Sequence, residues 1–169
     1  MKLTLNGIKE HEAWEKAGIQ LPGYDVEKIS AKAKEAPVWV HFGIGNIFRV
    51  FIGGIAGGLL EDEILDRGIT CVETFDYDVV DKIYEPYDNL GLNVILHGDG
   101  TREYKVLGAL AEAVKAETAT NKATDEASAA VNFCTEQATL GGELEERIRT
   151  FVEEHSSCVL IIIDTLQMI

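Results

Sequence analysis

The sequence predicts an α/β fold: a parallel β-α-β unit, a β-hairpin, and a C-terminal helix followed by one buried strand. Three observations predict it. Two short apolar runs, 38–42 (VWVHF) and 69–75 (ITCVETF), flank a helical stretch, which favours a parallel pair with a right-handed crossover. Two extended runs, 93–97 and 103–107, flank Gly98-Asp99-Gly100-Thr101, and Asp-Gly tolerates the positive φ of a tight turn. The continuous apolar run 158–163 (CVLIII) suits a parallel strand covered on both faces.

Taken in order, residues 1–24 read as a polar lead-in with a short helix and a turn at Leu21-Pro22-Gly23-Tyr24. Asp25 is placed to cap a helix over 26–35, and Pro37 then forces an extended start into the first strand. Gly43 stops that strand. A helix begins near Asn46 with Ile47, Phe48, Phe51, Ile52, Ile55 and Leu59 on its inner face, and Arg67-Gly68 closes the turn that follows. After Asp76 the chain reads as a polar helix to about Tyr84, and 110–116 reads as the start of another helix. Residues 118–130 (TATNKATDEASAA) are small and polar, a linker or a weak solvated helix. Leu144, Ile148, Phe151 and Val152 then give one apolar helix face.

Composition bounds the function. With 46% hydrophobic and 26% charged residues, the chain falls among globular proteins rather than disordered or fibrous ones. A net charge of −14 disfavours phosphate backbones and anionic membranes, so neither nucleic acid nor a lipid surface is expected as a partner. Three scattered cysteines and four scattered histidines show neither a disulfide framework nor metal-ligand spacing. The start lacks an apolar signal region, and Asn46, Arg49 and a series of glycines interrupt the most apolar stretch, 44–60. A cytoplasmic location is the expectation.

The most informative feature is Gly43-Ile44-Gly45-Asn46-Ile47-Phe48, between the first strand and its helix. Phosphate binding there needs one glycine for the tight turn and another so that a pyrophosphate can approach the amides at the helix start. The third position of the dinucleotide fingerprint is Phe48 instead of glycine, and a glycine pair in such a turn also serves plain packing. The acidic cluster Glu73, Asp76 and Asp78 follows the second strand. A carboxylate there accepts hydrogen bonds from an adenosine ribose and repels a 2′-phosphate, which favours NAD over NADP. The spacing from Gly43, 30 residues to Glu73 and 33 to Asp76, exceeds the usual value of about 20, and helix capping is an alternative role for Asp76 or Asp78. The pattern is that of a partial Rossmann-like unit.

The stretches VHFGIGNIFR (40–49), LPGYD (21–25) and ILHGDGTREYKVLGALAEAV (95–114) resemble the mannitol dehydrogenase family of polyol-specific long-chain dehydrogenases, which includes fructuronate and tagaturonate reductases. The resemblance covers about residues 1–116. It implies hydride transfer between NAD(P) and sugar alcohols, keto sugars or keto sugar acids, without a catalytic zinc. It places Gly43, Ile44, Gly45, Asn46 and Phe48 in the pyrophosphate turn. The acid on the adenosine ribose would be Asp78, with Asp76 and Glu73 as near alternatives. Family members are much longer, and their catalytic lysine, asparagine and histidine lie in later segments that residues 117–169 do not match, so no catalytic residue is assigned.

Residues 143–169 resemble instead the helix and Walker B strand of RecA-like ATPases of the replicative-helicase and plasmid RepA type, which implies Asp164 as a magnesium-holding aspartate. The chain contains no Gly-Lys pair and so no phosphate-binding P-loop, which argues against ATP hydrolysis. The expected division is 1–116 as the N-terminal part of an NAD-binding domain, 117–131 as a linker, and 132–169 as a helix-strand segment. The leading reading is the NAD-binding portion of an oxidoreductase, truncated before its catalytic half. The alternatives are a non-catalytic α/β remnant or composite protein, and an ATPase fragment. Open strand edges would favour self-association.

Overall fold

The structure, a computed structural model, describes residues 1–116, 146, 149, 150, 153 and 160–163. Among these the chain forms α1 (His11–Lys16), β1 (Ile19–Gln20), α2 (Val26–Glu35), β2 (Trp39–Phe42) and α3 (46–61). There follow β3 (Ile69–Glu73), α4 (78–84), β4 (Gly91–Leu96), β5 (Arg102–Leu107), β6 (Leu110–Lys115) and β7 (Leu160–Ile163). Two sheets result. The larger is parallel, with strand order β6-β3-β2-β7, and the smaller has order β1-β5-β4.

The β-α-β unit is present as read. β2 and β3 run parallel with Val40 opposite Thr70 and Phe42 opposite Val72. All five residues of β3 are buried, as are Trp39, Val40 and His41 of β2, which is why both segments read as unbroken apolar runs. The core on this sheet joins Trp39, Ile69 and Cys71 to Phe48, Ile55, Ala56 and Leu59 of α3 and to Val80 and Tyr84 of α4.

Two expectations are corrected. Residues 110–116, read as the start of a helix, instead form β6, which pairs parallel with β3 from Ile69 opposite Leu110 to Glu73 opposite Lys115. The segment's alanine, glutamate and lysine favour helix by only a few tenths of a kcal/mol per residue. The open edge of a buried strand offers a row of unpaired peptide groups that cost more to leave unmade. Leu110 and Ala111 also become buried in the pairing. The second correction concerns Ile47, placed on the inner face of α3 but 55% exposed. A π turn at Phe48–Ile52, in which the Gly53 N–H reaches back to the Phe48 carbonyl, adds a residue to that turn. The apolar face therefore rotates between the first and second turns, so Ile47 and Val50 face out while Ile55, Ala56 and Leu59 face in.

The run 158–163 contributes β7 over Leu160–Ile163, parallel to β2 with Phe42 opposite Ile163. Helical backbone is described at residues 146, 149, 150 and 153, and Arg149 bonds Asp62 just past α3 at 2.7 Å. The apolar face of Leu144, Ile148, Phe151 and Val152, the linker 117–131 and Asp164 lie outside the described residues.

The hairpin forms as read. Gly100 takes φ +86°, and Asp99 accepts from the Thr101 N–H and hydroxyl, fixing the turn between β4 and β5. The small sheet closes over Trp14, Val26, Leu90 and Val106, a second core cluster. Asp25 caps α2, its carboxylate accepting from the Lys28 N–H at 3.0 Å. Asp25→Ala is expected to lower stability by about 1 kcal/mol in chemical denaturation. Among the described residues no helix is long and apolar enough to cross a membrane.

Candidate functional site

β2 delivers the chain to Gly43 at φ +85°, a left-handed conformation that glycine adopts without strain. The Gly43 N–H donates to the Val72 carbonyl at 3.0 Å, carrying the β2–β3 ladder one residue further. Ile44 is fully buried and held on both sides of its peptide. Its N–H donates to Glu73 Oε2 over a long 3.4 Å, and its carbonyl accepts from the Tyr84 hydroxyl at 2.8 Å. Burial pushes the Tyr84 hydroxyl pKa well up, so it stays protonated and serves as a donor.

Gly45 is half-buried, and its carbonyl accepts from the Arg49 N–H at 3.0 Å. Asn46 is exposed at the start of α3 and holds the Arg49 guanidinium through Oδ1 at 2.7 Å. The same guanidinium lies 5.9 Å from the centre of the Tyr84 ring. Phe48 is 1% exposed, its ring stacked on His41 with 4.0 Å between centroids. It is therefore a packing residue where the fingerprint usually has glycine. The first-turn amides of α3 have no intrahelical carbonyl to bond and carry the positive end of the helix dipole.

The three acids separate by environment. Glu73 ends β3 fully buried, and its Oε1 accepts from the N–H groups of Thr74, Phe75 and Asp76 at 2.9, 3.0 and 3.3 Å. Asp76 and Asp78 are exposed at the entry to α4. Asp78 pairs with Lys82 at 2.5 Å, and this hydrogen bond holds its carboxyl below the usual range. Neither exposed acid is a side-chain cap of the π turn in α4, whose start carries no such bond.

The glycine turn and the acids thus meet at the carboxyl ends of parallel strands. β3 flanks β2 on one side and β7 on the other, with the ends of β2 and β7 level at Phe42 and Ile163. In open parallel sheets ligands bind outside the carboxyl ends of the strands. Amide donors beside exposed carboxylates suit an anion joined to a sugar diol. Sequence reasoning missed two supports of this arrangement, Tyr84 and β6. Val80 and Tyr84, four apart and both buried, carried the signal for the first. The Ala116 N–H, donating to the Glu73 carbonyl at 2.8 Å, shows how β6 ties down the end of β3.

The fold is that of a partial Rossmann-like α/β unit, with the glycine turn at the carboxyl end of β2. No family model matches the chain. It is 44% identical over 115 residues to the D-mannonate oxidoreductase of Thermotoga maritima, covering 68% of this chain and 21% of that protein. A D-sorbitol dehydrogenase crystal structure in substrate-free form matches at 30% identity and TM-score 0.50, over 60% of this chain and 20% of that one. The Pseudomonas fluorescens mannitol 2-dehydrogenase, solved with NAD and D-mannitol, shares the fold at 20% identity and TM-score 0.53, over 65% of this chain and 22% of that one. The N-terminal part of the chain is a mannitol dehydrogenase-family N-terminal segment. The chain spans about a fifth of the length of the curated relative it matches.

Proposed function

We propose that the chain is the NAD(H)-binding portion of an oxidoreductase that transfers hydride to or from polyols, keto sugars or keto sugar acids. The observation that carries the reading is the Gly43-Ile44-Gly45 turn. It is held at the carboxyl end of β2 by Tyr84 and Glu73 and opens onto the first-turn amides of α3. Gly45 lets the pyrophosphate approach, the amides of Gly45 and Asn46 bind it, and Phe48 supports the turn from the core. Asp76 or Asp78 accepts the adenosine ribose hydroxyls. Phe75, 89% exposed between these acids and Glu73, offers a flat apolar surface to the base. An exposed carboxylate repels a 2′-phosphate, which favours NAD over NADP. The chain carries no assigned catalytic residue, and the hydride step belongs to segments that the longer relatives possess.

Calorimetric titration with NAD and NADH tests this. Binding in the micromolar to millimolar range, with NADP about tenfold weaker or worse, is expected. No heat at millimolar NAD(H) overturns it. Mannitol- or fructuronate-dependent NADH turnover by the chain alone is expected to be absent. Clear turnover would show that the catalytic groups are present after all.

One observation favours a second reading, a non-catalytic α/β module. β7 pairs with the edge of β2 that the β-α-β unit leaves open, as a strand recruited only to close a sheet would. The same titration separates the two.

A further inference from the structure

We propose that Glu73 is a positioning residue of the cofactor site: it fixes the pyrophosphate turn and the ribose-binding loop to each other and does not touch the ribose. This rests on the cofactor reading above and changes the role that the sequence gave this acid.

Glu73 is 0% exposed, so no surface of its carboxylate is open to a ligand hydroxyl. A buried carboxylate is costly unless its oxygens are saturated with donors. Here four peptide N–H groups face them, three on Oε1 and one, at a longer 3.4 Å, on Oε2. Oε1 gathers the successive amides of Thr74, Phe75 and Asp76, and Oε2 takes the amide of Ile44 from the neighbouring strand's turn. The first three bonds curl the loop after β3 around its own last side chain, and this sets where Phe75 and Asp76 stand. The fourth joins that loop to the glycine turn 29 residues earlier in the chain. Since Ile44 gives its N–H to Glu73 and its carbonyl to Tyr84, its peptide is committed to holding the turn. A diphosphate and the ribose attached to it span a fixed distance, so binding both at once requires the two loops in a set relation before the ligand arrives. Pre-ordering of this kind removes an entropic cost from binding.

The geometry separates positioning from contact. Glu73→Gln keeps the size and one acceptor oxygen, but sets an amide NH2 group against the Ile44 N–H or against the three loop amides. Titrations of wild type and variant with NAD, and with NAD carrying 2′-deoxyadenosine, provide the readout. The same loss for both ligands, about tenfold or more, is expected, because the turn is displaced whichever sugar follows. A loss seen with NAD and abolished with the deoxy ligand would mean that Glu73 bonds the ribose, and would overturn the proposal. A fall in melting temperature with unchanged affinity for both ligands would also overturn it, leaving Glu73 as a core residue alone.

Amide exchange in the unliganded wild type keeps the proposal testable if the variant does not fold. The Ile44, Thr74, Phe75 and Asp76 amides should all be protected. Rapid exchange of Ile44 would overturn the link between the loops. Failure of the wild type to bind NAD would instead strike the cofactor reading itself, while the exchange pattern would still report on the link.

Discussion

Gly45→Val is expected to weaken NAD binding by about 100-fold or more, equivalent to roughly 3 kcal/mol, while leaving the fold largely intact. The two glycines of the turn differ in what they require. Gly43 sits at φ +85°, so any side chain there strains the backbone by about 1–2 kcal/mol, and a loss of binding would be confounded with a loss of stability. Gly45 is not among the residues with positive φ, and its surface is partly open. A valine there meets no conformational barrier of the left-handed kind, yet its branched side chain occupies the approach to the first-turn amides. Calorimetry gives the affinity and circular dichroism the fold. Unchanged affinity in a folded Gly45→Val protein would remove the turn from the site, and with it the main support for cofactor binding.

The second large effect concerns the tail. Successive peptide N–H groups along a strand point to opposite sides, so within β7 one of Ile161 and Ile162 donates toward β2 and the other toward the outer edge. Proline removes the donor, and its ring obstructs the pairing only where the N–H faced the neighbouring strand. One of Ile161→Pro and Ile162→Pro should therefore cost about 2–3 kcal/mol in denaturant unfolding of the full chain, and the other far less. The costly variant should also lose exchange protection at those β2 amides, alternate residues within Trp39–Phe42, that face β7, while the amides facing β3 stay protected. Equal, small effects from both would show that β7 does not hold the open edge of β2 in solution. The Arg149–Asp62 ion pair places a second described residue of this region against the end of α3, although an exposed pair contributes little by itself.

Much of the fold was legible locally. The Asp25 cap and the helix over 26–35, the strand after Pro37, the Asp-Gly hairpin and the Gly43-Ile44-Gly45 turn each carry their signal in adjacent residues. Steric and hydrogen-bonding rules act there over a few positions. The errors arose where the deciding partner is distant in sequence. Residues 110–115 have helical propensity, but β3, some 40 residues earlier, presents an edge that captures them as β6. Ile47 follows the inward period of α3, but the π turn beginning at the next residue shifts the phase. Among the candidate site residues, the glycines were found where the motif put them. The acids were ranked only by their place in the motif, because Glu73, Asp76 and Asp78 are alike in charge, and the burial of Glu73 and the pairing of Asp78 with Lys82 are set by the fold.

The sequence by itself determined that this protein is acidic and α/β, with a glycine turn between a buried strand and a helix and carboxylates after the next strand. It also carried the resemblance to polyol dehydrogenases that the 44% identity over 115 residues bears out. Only the tertiary structure decided which acid is buried against four peptide amides, which strands flank β2, and that Leu160–Ile163, within a segment read as ATPase-like, runs parallel to it. The physical reason is the same in each case. Propensity and motif spacing are set by neighbours along the chain, whereas burial and strand pairing are set by neighbours across it, and for a buried carboxylate or an open strand edge the second set of energies is larger.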